Sequence, residues 1–230
     1  FTLNGAKEIL AMLLAECDKT GLVDIKTGCE VQTVTPAEGQ GFQVATSMGY
    51  FQAESVVVAT GGLSVPTLGG SGIGYEIAKQ FGHHVHPTRA GLVPFTFSDQ
   101  FKEVTTRLSG NAVDATLSND LNSFTEALLF THRGLSGPSS LQLSNYWDVG
   151  QRFNINFLPY IDLVDFFKSK KSSQPKVLLR TLLNEHLPKS VVLELQNLIW
   201  AESADIPIGN LSDEKLEQIA QRLHAFEVKP

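Results

Sequence analysis

The sequence predicts a mixed multidomain fold of the α/β and α+β kind. Three patterns predict it: an α/β pattern in residues 1–90, a β-rich pattern in residues 91–160 and a helical pattern in residues 161–230. The chain has 230 residues, of which 42% are hydrophobic and 18% are charged. This composition is typical of a globular protein with a well-buried interior and excludes a disordered chain. The length suits one large domain or two modest ones.

The first unit begins with an amphipathic helix at residues 4–19, for which Asn4 is the predicted N-cap and Gly21 the stop. The apolar residues that recur at helical spacing are Ile9, Leu10, Leu13, Leu14 and Cys17. Short strand-like runs follow, with turn residues between them. They predict a small antiparallel meander with strands at 23–26, 30–35, 41–46 and 50–53.

Residues 55–59 read Ser-Val-Val-Val-Ala, a continuous run without alternation, which predicts a strand buried on both faces of a parallel sheet. The glycine-rich segment, residues 60–75, comes next, and a short helix is predicted from about Ile73 to Phe81. Free backbone N–H groups and the helix dipole would suit a pyrophosphate or the polar edge of a nucleotide. A mobile surface loop is the structural alternative, and the residues alone do not decide between them. The segment matches neither the P-loop nor the G-x-G-x-x-G fingerprint.

The second and third units are predicted from their alternation and their helical periodicity. Candidate strands of the β-rich unit lie at 92–97, 112–117, 127–130 and 153–158. Candidate helices of the last unit lie at 162–168, 176–183, 188–200 and 212–223.

A second motif contains residue types that could bind a ligand or take part in catalysis. It reads Leu-Leu-Phe-Thr-His-Arg-Gly-Leu-Ser-Gly-Pro and spans residues 128–138. Thr131, His132, Ser136 and backbone amides could line a pocket, and His132 could donate a proton near neutral pH. A tight turn that caps a helix at about 138–145 is the structural alternative, and we favour it over catalysis by His132. Ser136 is excluded as an elbow nucleophile because Pro138 stands where that motif needs glycine.

Several classes of function are disfavoured by composition. A net charge of −6 gives no reason for binding nucleic acid or an anionic membrane, although a local patch such as Lys168, Lys170 and Lys171 stays open. The cluster of His83, His84 and His86 is better explained as an exposed strand end than as a metal site. The two cysteines favour a reducing, cytoplasmic location. We expect no membrane span, no secretory signal and, since residue 1 is Phe, a segment upstream.

Four motifs in fixed order resemble one protein family. Val-Val-Val-Ala-Thr-Gly-Gly at 56–62 is similar to the strand that ends beside the cofactor in two-domain FAD proteins. The longer set resembles the BaiN-like (YhiN-type) bacterial flavoprotein family in order and spacing. It consists of the blocks at 59–66, 69–75, 90–95 and 128–138. The resemblance covers essentially the whole chain.

The resemblance implies a partial FAD/NAD(P)-binding Rossmann-like domain at 1–90. It also implies an insert made of a β-barrel-like unit at 91–160 and a helical unit at 161–230. The chain would be a central fragment that lacks the family's N-terminal G-x-G-x-x-G segment and its closing segment. We therefore expect the 230-residue piece to purify colourless and inactive, and residues 91–230 to fold as a unit.

The resemblance also implies site residues. The backbone around Val31 matches the adenine-side contact, and Ile73 stands where many relatives have Asp. Further implied cofactor contacts are Thr60, Gly61, Gly62, Ser64, Pro66, Gly72 and Gly74. The insert's signature turn, implied to line a cleft, comprises Thr131, His132, Gly134, Ser136, Gly137 and Pro138. No catalytic residue is assigned beyond His132 as a candidate, and no metal is expected.

By this resemblance the chain is part of a flavin-dependent oxidoreductase with FAD as cofactor, NAD(P)H as reductant and a small-molecule substrate. The isoalloxazine ring would do the redox chemistry, and the protein would supply orientation and electrostatics. The alternative is a non-catalytic binding module built from the β-barrel-like and helical units, in which the glycine-rich segment is a structural turn. The sequence does not indicate the substrate or the oligomeric state.

Overall fold

The structure is a computed structural model that describes residues 5–230. The chain divides into two units, Phe1–Pro87 and Thr88–Pro230, and each is described here by itself. Across the described residues, no helix is both long enough and apolar enough to cross a membrane.

The first unit opens with helix α1, Ala6–Thr20, which ends at Gly21 in the left-handed conformation (φ 63°). The predicted stop is therefore confirmed, whereas the predicted N-cap Asn4 lies outside the described residues. No residue of α1 is buried. Its apolar face is formed as the periodicity predicts, but the described part of this unit does not cover it.

Three strands form the predicted antiparallel meander. They are β1 (Val31–Pro36), β2 (Phe42–Thr46) and β3 (Gly49–Ala53), paired in the order β1-β2-β3. The predicted strand at 23–26 is not formed. A Cβ at Gly41 would overlap the carbonyl oxygen of Ala53, so the turn into β2 requires glycine.

The prediction of a buried parallel strand at 55–59 is wrong for the described chain. The segment is irregular, and Val57 is 88% exposed. A strand forms only where a neighbouring strand pairs with it, and in the described residues β1–β3 pair only among themselves. Beyond it come a 3₁₀ turn at Pro66–Leu68 and helix α2, Ile73–Gln80, close to the predicted bounds.

The second unit is built on a six-stranded antiparallel sheet. Its strands are β4 (Phe95–Thr96), β5 (Ala112–Ser118), β6 (Ser123–Thr131), β7 (Gly134–Ser136), β8 (Phe153–Asn156) and β9 (Phe226–Val228). They pair in the order β4-β7-β6-β5-β8-β9. Strand β5 shows the expected alternation, with Val113, Ala115 and Leu117 buried on one face. The three-residue strands β7 and β9 were not predicted from the sequence.

Six helices accompany this sheet. They are α3 (Gln100–Arg107), α4 (Pro138–Leu143), α5 (Leu163–Ser173), α6 (Leu179–Leu183), α7 (Lys189–Ile199) and α8 (Asp213–His224). Side-chain N-caps explain several starts, since Asp99, Asp162 and Ser212 accept backbone N–H bonds from the first turns of α3, α5 and α8. The four predicted C-terminal helices are confirmed, while α3 was not predicted.

One hydrophobic core joins the sheet and the helices of this unit. Phe153 and Ile155 of β8 belong to the same buried cluster as Leu163, Leu182 and Leu223 of the helices. Each such side chain contributes about 1.5–3 kcal/mol relative to an exposed one. Strand β9, at the C-terminal end, returns to pair with β8. The predicted boundary at residue 160 therefore falls inside a single packed unit.

Candidate functional site

Two glycines of the glycine-rich segment are needed for internal packing. A Cβ at Gly70 would lie 2.5 Å from the carbonyl oxygen of Gly62, and a Cβ at Gly74 would lie 2.8 Å from Thr60 Oγ1. Gly74 thus lets the first turn of α2 approach the end of the 56–60 segment. The structure therefore places Gly74 next to Thr60 and Gly70 next to Gly62, and the role of these residues as cofactor contacts stays a prediction.

Other glycines of the segment have open surroundings. No atom lies within 4 Å of a Cβ built at Gly61, where φ is +70°, and only Leu63 Cδ2 at 3.8 Å approaches one at Gly72. Gly72 precedes α2 and supplies no side-chain cap, and the one side-chain acceptor at this helix start is Ser71 Oγ, which lies 3.5 Å from Ile73 N, so the positive end of the helix dipole is largely uncompensated by the described side chains. Ser64 and Pro66 are exposed beside this edge. The open backbone and helix start fit the polar edge of a dinucleotide such as FAD.

An apolar cavity of about 470 Å³ lies beside the segment. Val34 of β1, Val58 and Gly74 are among its lining residues. Gln80 Nε2 donates to the carbonyl oxygen of Val34 at 2.7 Å, which ties α2 to the meander. Val31, the predicted adenine-side contact, lies at the start of β1 and does not line this cavity.

The turn at residues 131–134, between β6 and β7, is held by one threonine side chain. Thr131 Oγ1 accepts the N–H groups of Arg133 (3.3 Å) and Gly134 (3.2 Å) and donates to the carbonyl oxygen of Gly134 at 3.1 Å. A Cβ at Gly134 would overlap the carbonyl oxygen of Phe95, because β4 pairs directly against this position. His132 is exposed, and its imidazole makes no hydrogen bond within residues 5–230.

The remaining residues of the motif form the corner between β7 and α4. Gly137 adopts φ +89°, and a Cβ there would lie 2.5 Å from the carbonyl oxygen of Ala127. Pro138 begins α4, and Leu141 N donates to the carbonyl oxygen of Gly137 at 2.9 Å. Ser136 is half-buried and pairs with Leu129. The favoured structural interpretation, a tight turn leading into a helix at about 138, is confirmed.

The sequence did not predict the hydrogen bonds and the ion pair that hold residues 89–93, which together are called the clamp. Leu92 N donates to Asn145 Oδ1 at 3.1 Å, and Val93 N donates to Ser144 Oγ at 3.0 Å. Arg89 donates to the carbonyl oxygen of Asn145 and pairs with Asp148. The clamp holds Leu92 at φ +52°, which is rare for a residue with a branched side chain. No sequence signal could find it, because Leu92 and Asn145 are 53 residues apart.

Other features of the second unit have structural explanations. The Glu194 carboxylate holds Arg107 through two hydrogen bonds of 2.6 and 2.9 Å, which raise the pKa of the guanidinium. The hydrogen bond that the Lys168 ammonium donates to the Glu217 carboxylate likewise raises the pKa of that lysine. A cavity of about 610 Å³ lies beside His186 and Leu187, and none of the predicted site residues lines it.

Two members of the histidine cluster contact each other through their rings. The rings of His84 and His86 lie edge to face with centroids 4.6 Å apart. Nowhere in residues 5–230 do three or more His, Cys, Asp or Glu side chains converge as metal ligands would.

Comparison with known proteins gives matches over the whole chain. The family model described as "HI0933-like protein Rossmann domain" matches residues 1–151, and that described as "HI0933-like protein barrel and H2TH domain" matches residues 89–230. The predicted fold class, a Rossmann-like domain with a β-barrel-like and helical insert, is confirmed by these two matches.

Three curated relatives illustrate what the chain is similar to. It is 40% identical to "Ribosomal RNA dihydrouridine synthase" of Escherichia coli (strain K12), over 99% of this chain and 56% of the relative. The protein of the same name from Haemophilus influenzae is 37% identical, over 99% of this chain and 57% of the relative. The "3-dehydro-bile acid delta(4,6)-reductase" of Clostridium scindens is 26% identical, over 90% of this chain and 49% of the relative. The chain therefore spans about half the length of the curated relatives it matches.

Proposed function

The chain belongs to the HI0933-like protein family, and from that premise we propose that the whole protein is a flavin-dependent reductase of carbon–carbon double bonds. This is the flavoprotein family that the four sequence motifs resemble, so the predicted resemblance is confirmed. A flavin oxidoreductase was expected from the sequence. The type of bond reduced is the new part of the proposal.

The observation that carries the proposal is the chemistry shared by the names of the relatives. Dihydrouridine is uridine with two hydrogens added across a ring double bond that is conjugated to a carbonyl. A delta(4,6)-reductase of a 3-dehydro bile acid acts, by its name, on double bonds conjugated to a ketone. We propose that this protein adds hydride to the far carbon of such an unsaturated carbonyl and a proton to the near one. An active site arranged for this addition of hydride and proton suits either substrate.

For the substrate of this protein we propose a uridine in RNA. The two synthase relatives are 40% and 37% identical to this chain, against 26% for the bile-acid reductase. The net charge of −6 argues against nucleic acid only for the surface as a whole. The local patch considered from the sequence offers little, because Lys168, Lys170 and Lys171 pair with Glu217, Glu185 and Asp213. A binding surface for RNA must lie elsewhere.

The first unit is proposed to hold one edge of the cofactor. Open backbone at Gly61 and Gly72 would face it, and the contacts proposed with them are Val31, Thr60, Gly62, Ser64, Pro66 and Gly74. Flavin, when bound, supplies hydride to the substrate, with NAD(P)H proposed as the source of electrons. The close approach of Gly74 to Thr60 packs α2 against the preceding segment and so fixes the backbone at this edge.

The test compares the intact protein with the 230-residue chain. We expect the intact protein to purify yellow, with flavin absorbance, and to form dihydrouridine in ribosomal RNA when NAD(P)H is added. Mass spectrometry of the digested nucleosides measures the product. The shorter chain should be colourless. An intact protein that binds no flavin would contradict the proposal and favour the non-catalytic binding module.

A glycine variant tests the cofactor edge itself. Gly72 has φ −83°, and its surroundings accept a Cβ without a clash, so Gly72→Ala should fold normally. If flavin approaches the backbone there, the Gly72→Ala variant of the intact protein should bind flavin about tenfold more weakly, a loss of about 1.4 kcal/mol of binding free energy. The exposed neighbour variant Thr67→Ala is the control. Equal flavin affinity for both variants would remove Gly72 from the site.

A further inference from the structure

Three basic side chains of the second unit are exposed and carry no partner. Lys102, His132 and Arg133, together called the basic patch, form no side-chain hydrogen bond, ion pair or ring contact within residues 5–230. His132 and Arg133 belong to the motif at 128–138. The structural role of that motif is fulfilled by its threonine, glycines and proline and leaves these two side chains unused.

A hydroxyl group joins the two elements that carry the patch. Thr106 Oγ1 lies 2.7 Å from the carbonyl oxygen of Lys102, one turn earlier in α3, and 3.2 Å from the carbonyl oxygen of His132. Helix α3 therefore lies directly against the turn at 131–134. Lys102 and Thr106 are four residues apart and share one face of the helix. The three basic residues thus belong to one continuous surface.

The backbone of the patch is held while its side chains are free. Phe97 N donates to the carbonyl oxygen of Arg133 at 3.1 Å, and Thr131 Oγ1 accepts the Arg133 N–H at 3.3 Å. Lys102 N donates to the carbonyl oxygen of Asp99 at 3.1 Å in the first turn of α3. The backbone from which these side chains extend is therefore already ordered, so less conformational entropy is lost when a ligand binds.

Seven other cations of this unit form ion pairs, whereas Lys176, Lys189, Lys215 and Lys229 have no side-chain partner within residues 5–230. Ion pairs join Arg89–Asp148, Arg107–Glu194, Arg152–Glu227, Lys168–Glu217, Lys170–Glu185, Lys171–Asp213 and Arg180–Asp205. In the basic patch, unpaired basic groups of two different elements come together on one surface, although the chain holds more acidic than basic residues. Its charges are therefore available to an anion that the protein does not itself supply.

We propose that the basic patch binds the phosphate backbone of the RNA substrate, an inference that rests on the proposed function. A guanidinium fork, an ammonium group and an imidazole are donors that contact phosphate oxygens, and the exposed Thr106 lies among them. Such contacts position RNA without reading its sequence. They also provide the local attraction that an acidic protein needs to hold a polyanion.

The test uses the intact protein and a fluorescein-labelled RNA stem-loop with uridines in its loop. Binding is measured by fluorescence anisotropy over a range of KCl concentrations. The double variant Lys102→Ala/Arg133→Ala should bind more weakly, with the slope of log K against log[KCl] reduced by about two. Lys176→Ala removes another exposed, unpaired lysine of the same unit and is the control, which should match the wild type. Thermal melting should be unchanged in both.

The outcomes separate this inference from the function it rests on. If the wild type reduces uridine in RNA and the double variant binds with an unchanged slope, the basic patch is refuted and the proposed function stands. If the wild type neither binds nor reduces RNA, both fail. Weaker binding of a poly-glutamate probe with unchanged RNA binding would assign the patch to an acidic protein and overturn the inference. Loss of RNA binding with normal NAD(P)H-to-oxygen turnover would support it.

Discussion

Two amphipathic helices of this chain have similar sequence patterns and opposite surroundings. In α8, Leu216, Ile219, Ala220 and Leu223 are at most 1% exposed. In α1, Ile9, Leu10, Leu13 and Leu14 are 42–58% exposed. The periodicity of a helix predicts which face will be apolar, but the neighbours decide whether that face is buried.

The same contrast holds for the two units as wholes. The second unit has a continuous core that runs from Phe95 to Val228, whereas Val34 is the buried apolar side chain of residues 5–87. The exposed side chains of Val57 and Val58 and the apolar cavity lined by Val58 are part of this difference. We infer that residues 5–87 need further polypeptide to complete their core, in agreement with the partial coverage of the relatives.

The largest expected effect comes from separating the units. Residues 88–230 expressed alone should unfold in one cooperative transition, because their core is shared by the sheet and the helices. Residues 1–87 alone should show no cooperative transition by circular dichroism. A cooperative melt of residues 1–87 would contradict this expectation, because it would show that these residues fold without further cover for their apolar side chains.

A matched pair of leucine truncations measures how much a buried and an exposed leucine contribute to stability. Leu182→Ala in the core should cost about 2–5 kcal/mol of unfolding free energy. Leu13→Ala, at a 55% exposed position of α1, should cost at most about 0.5 kcal/mol in the 230-residue chain. Urea denaturation measures both. In the intact protein Leu13→Ala should become as costly as a core truncation, and equal small losses in both proteins would refute our inference about the uncovered face.

A pair of glycine variants tests how tightly the second unit is packed. Gly134 and Gly150 both have positive φ, but only at Gly134 would a Cβ meet backbone atoms. Gly134→Ala should therefore destabilise the protein by about 1–3 kcal/mol more than Gly150→Ala. Thermal melting of the two variants measures the difference. Equal losses would mean that conformational strain alone explains the glycine at 134.

The smallest expected effect concerns an ion pair between α5 and α8. Lys171 Nζ lies 2.6 Å from Asp213 Oδ1, and this hydrogen bond lowers the pKa of the carboxyl below its ordinary value of 3.8. A carboxyl with a lowered folded pKa adds stability above the unfolded pKa, and that stability is lost as pH falls through the folded pKa. The contribution is small because both groups are at the surface.

The pH dependence gives the measurement. Asp213→Asn should melt slightly below the wild type at neutral pH, and the two should converge as pH falls below 3.8. Glu202→Gln, at an exposed position outside the ion pairs, is the control and should follow the wild type throughout. A constant difference at all pH values would show that Asp213 acts through something other than its charge.

Much of the fold could be predicted because its signals are local. The four C-terminal helices, the meander and the longer strands of the second sheet follow from periodicity and turn residues over a few positions. Strands β7 and β9 have three residues each, which is too short for alternation to be recognised. The run at 55–59 has the composition of a buried strand, but pairing partners decide strand formation, and the described chain offers none.

The candidate site was also predicted only in part from the sequence. Glycine spacing identified the segment at 60–75, and the structure added which glycines pack internally, namely Gly70 and Gly74, and which face open space, namely Gly61 and Gly72. The motif at 128–138 was recognised, but its division into a structural threonine and glycines and two free basic side chains needed the hydrogen bonds.

Most of the local conformations of this protein follow from the sequence alone: its longer helices, its turns and the helix faces that are apolar. These depend on torsion preferences and on contacts between residues three or four positions apart. Three features depend on tertiary contacts: which apolar faces are buried, how Asn145 holds Leu92, and that Lys102 lies on one surface with His132 and Arg133. Those outcomes depend on contacts between residues far apart in the chain, which no local pattern encodes.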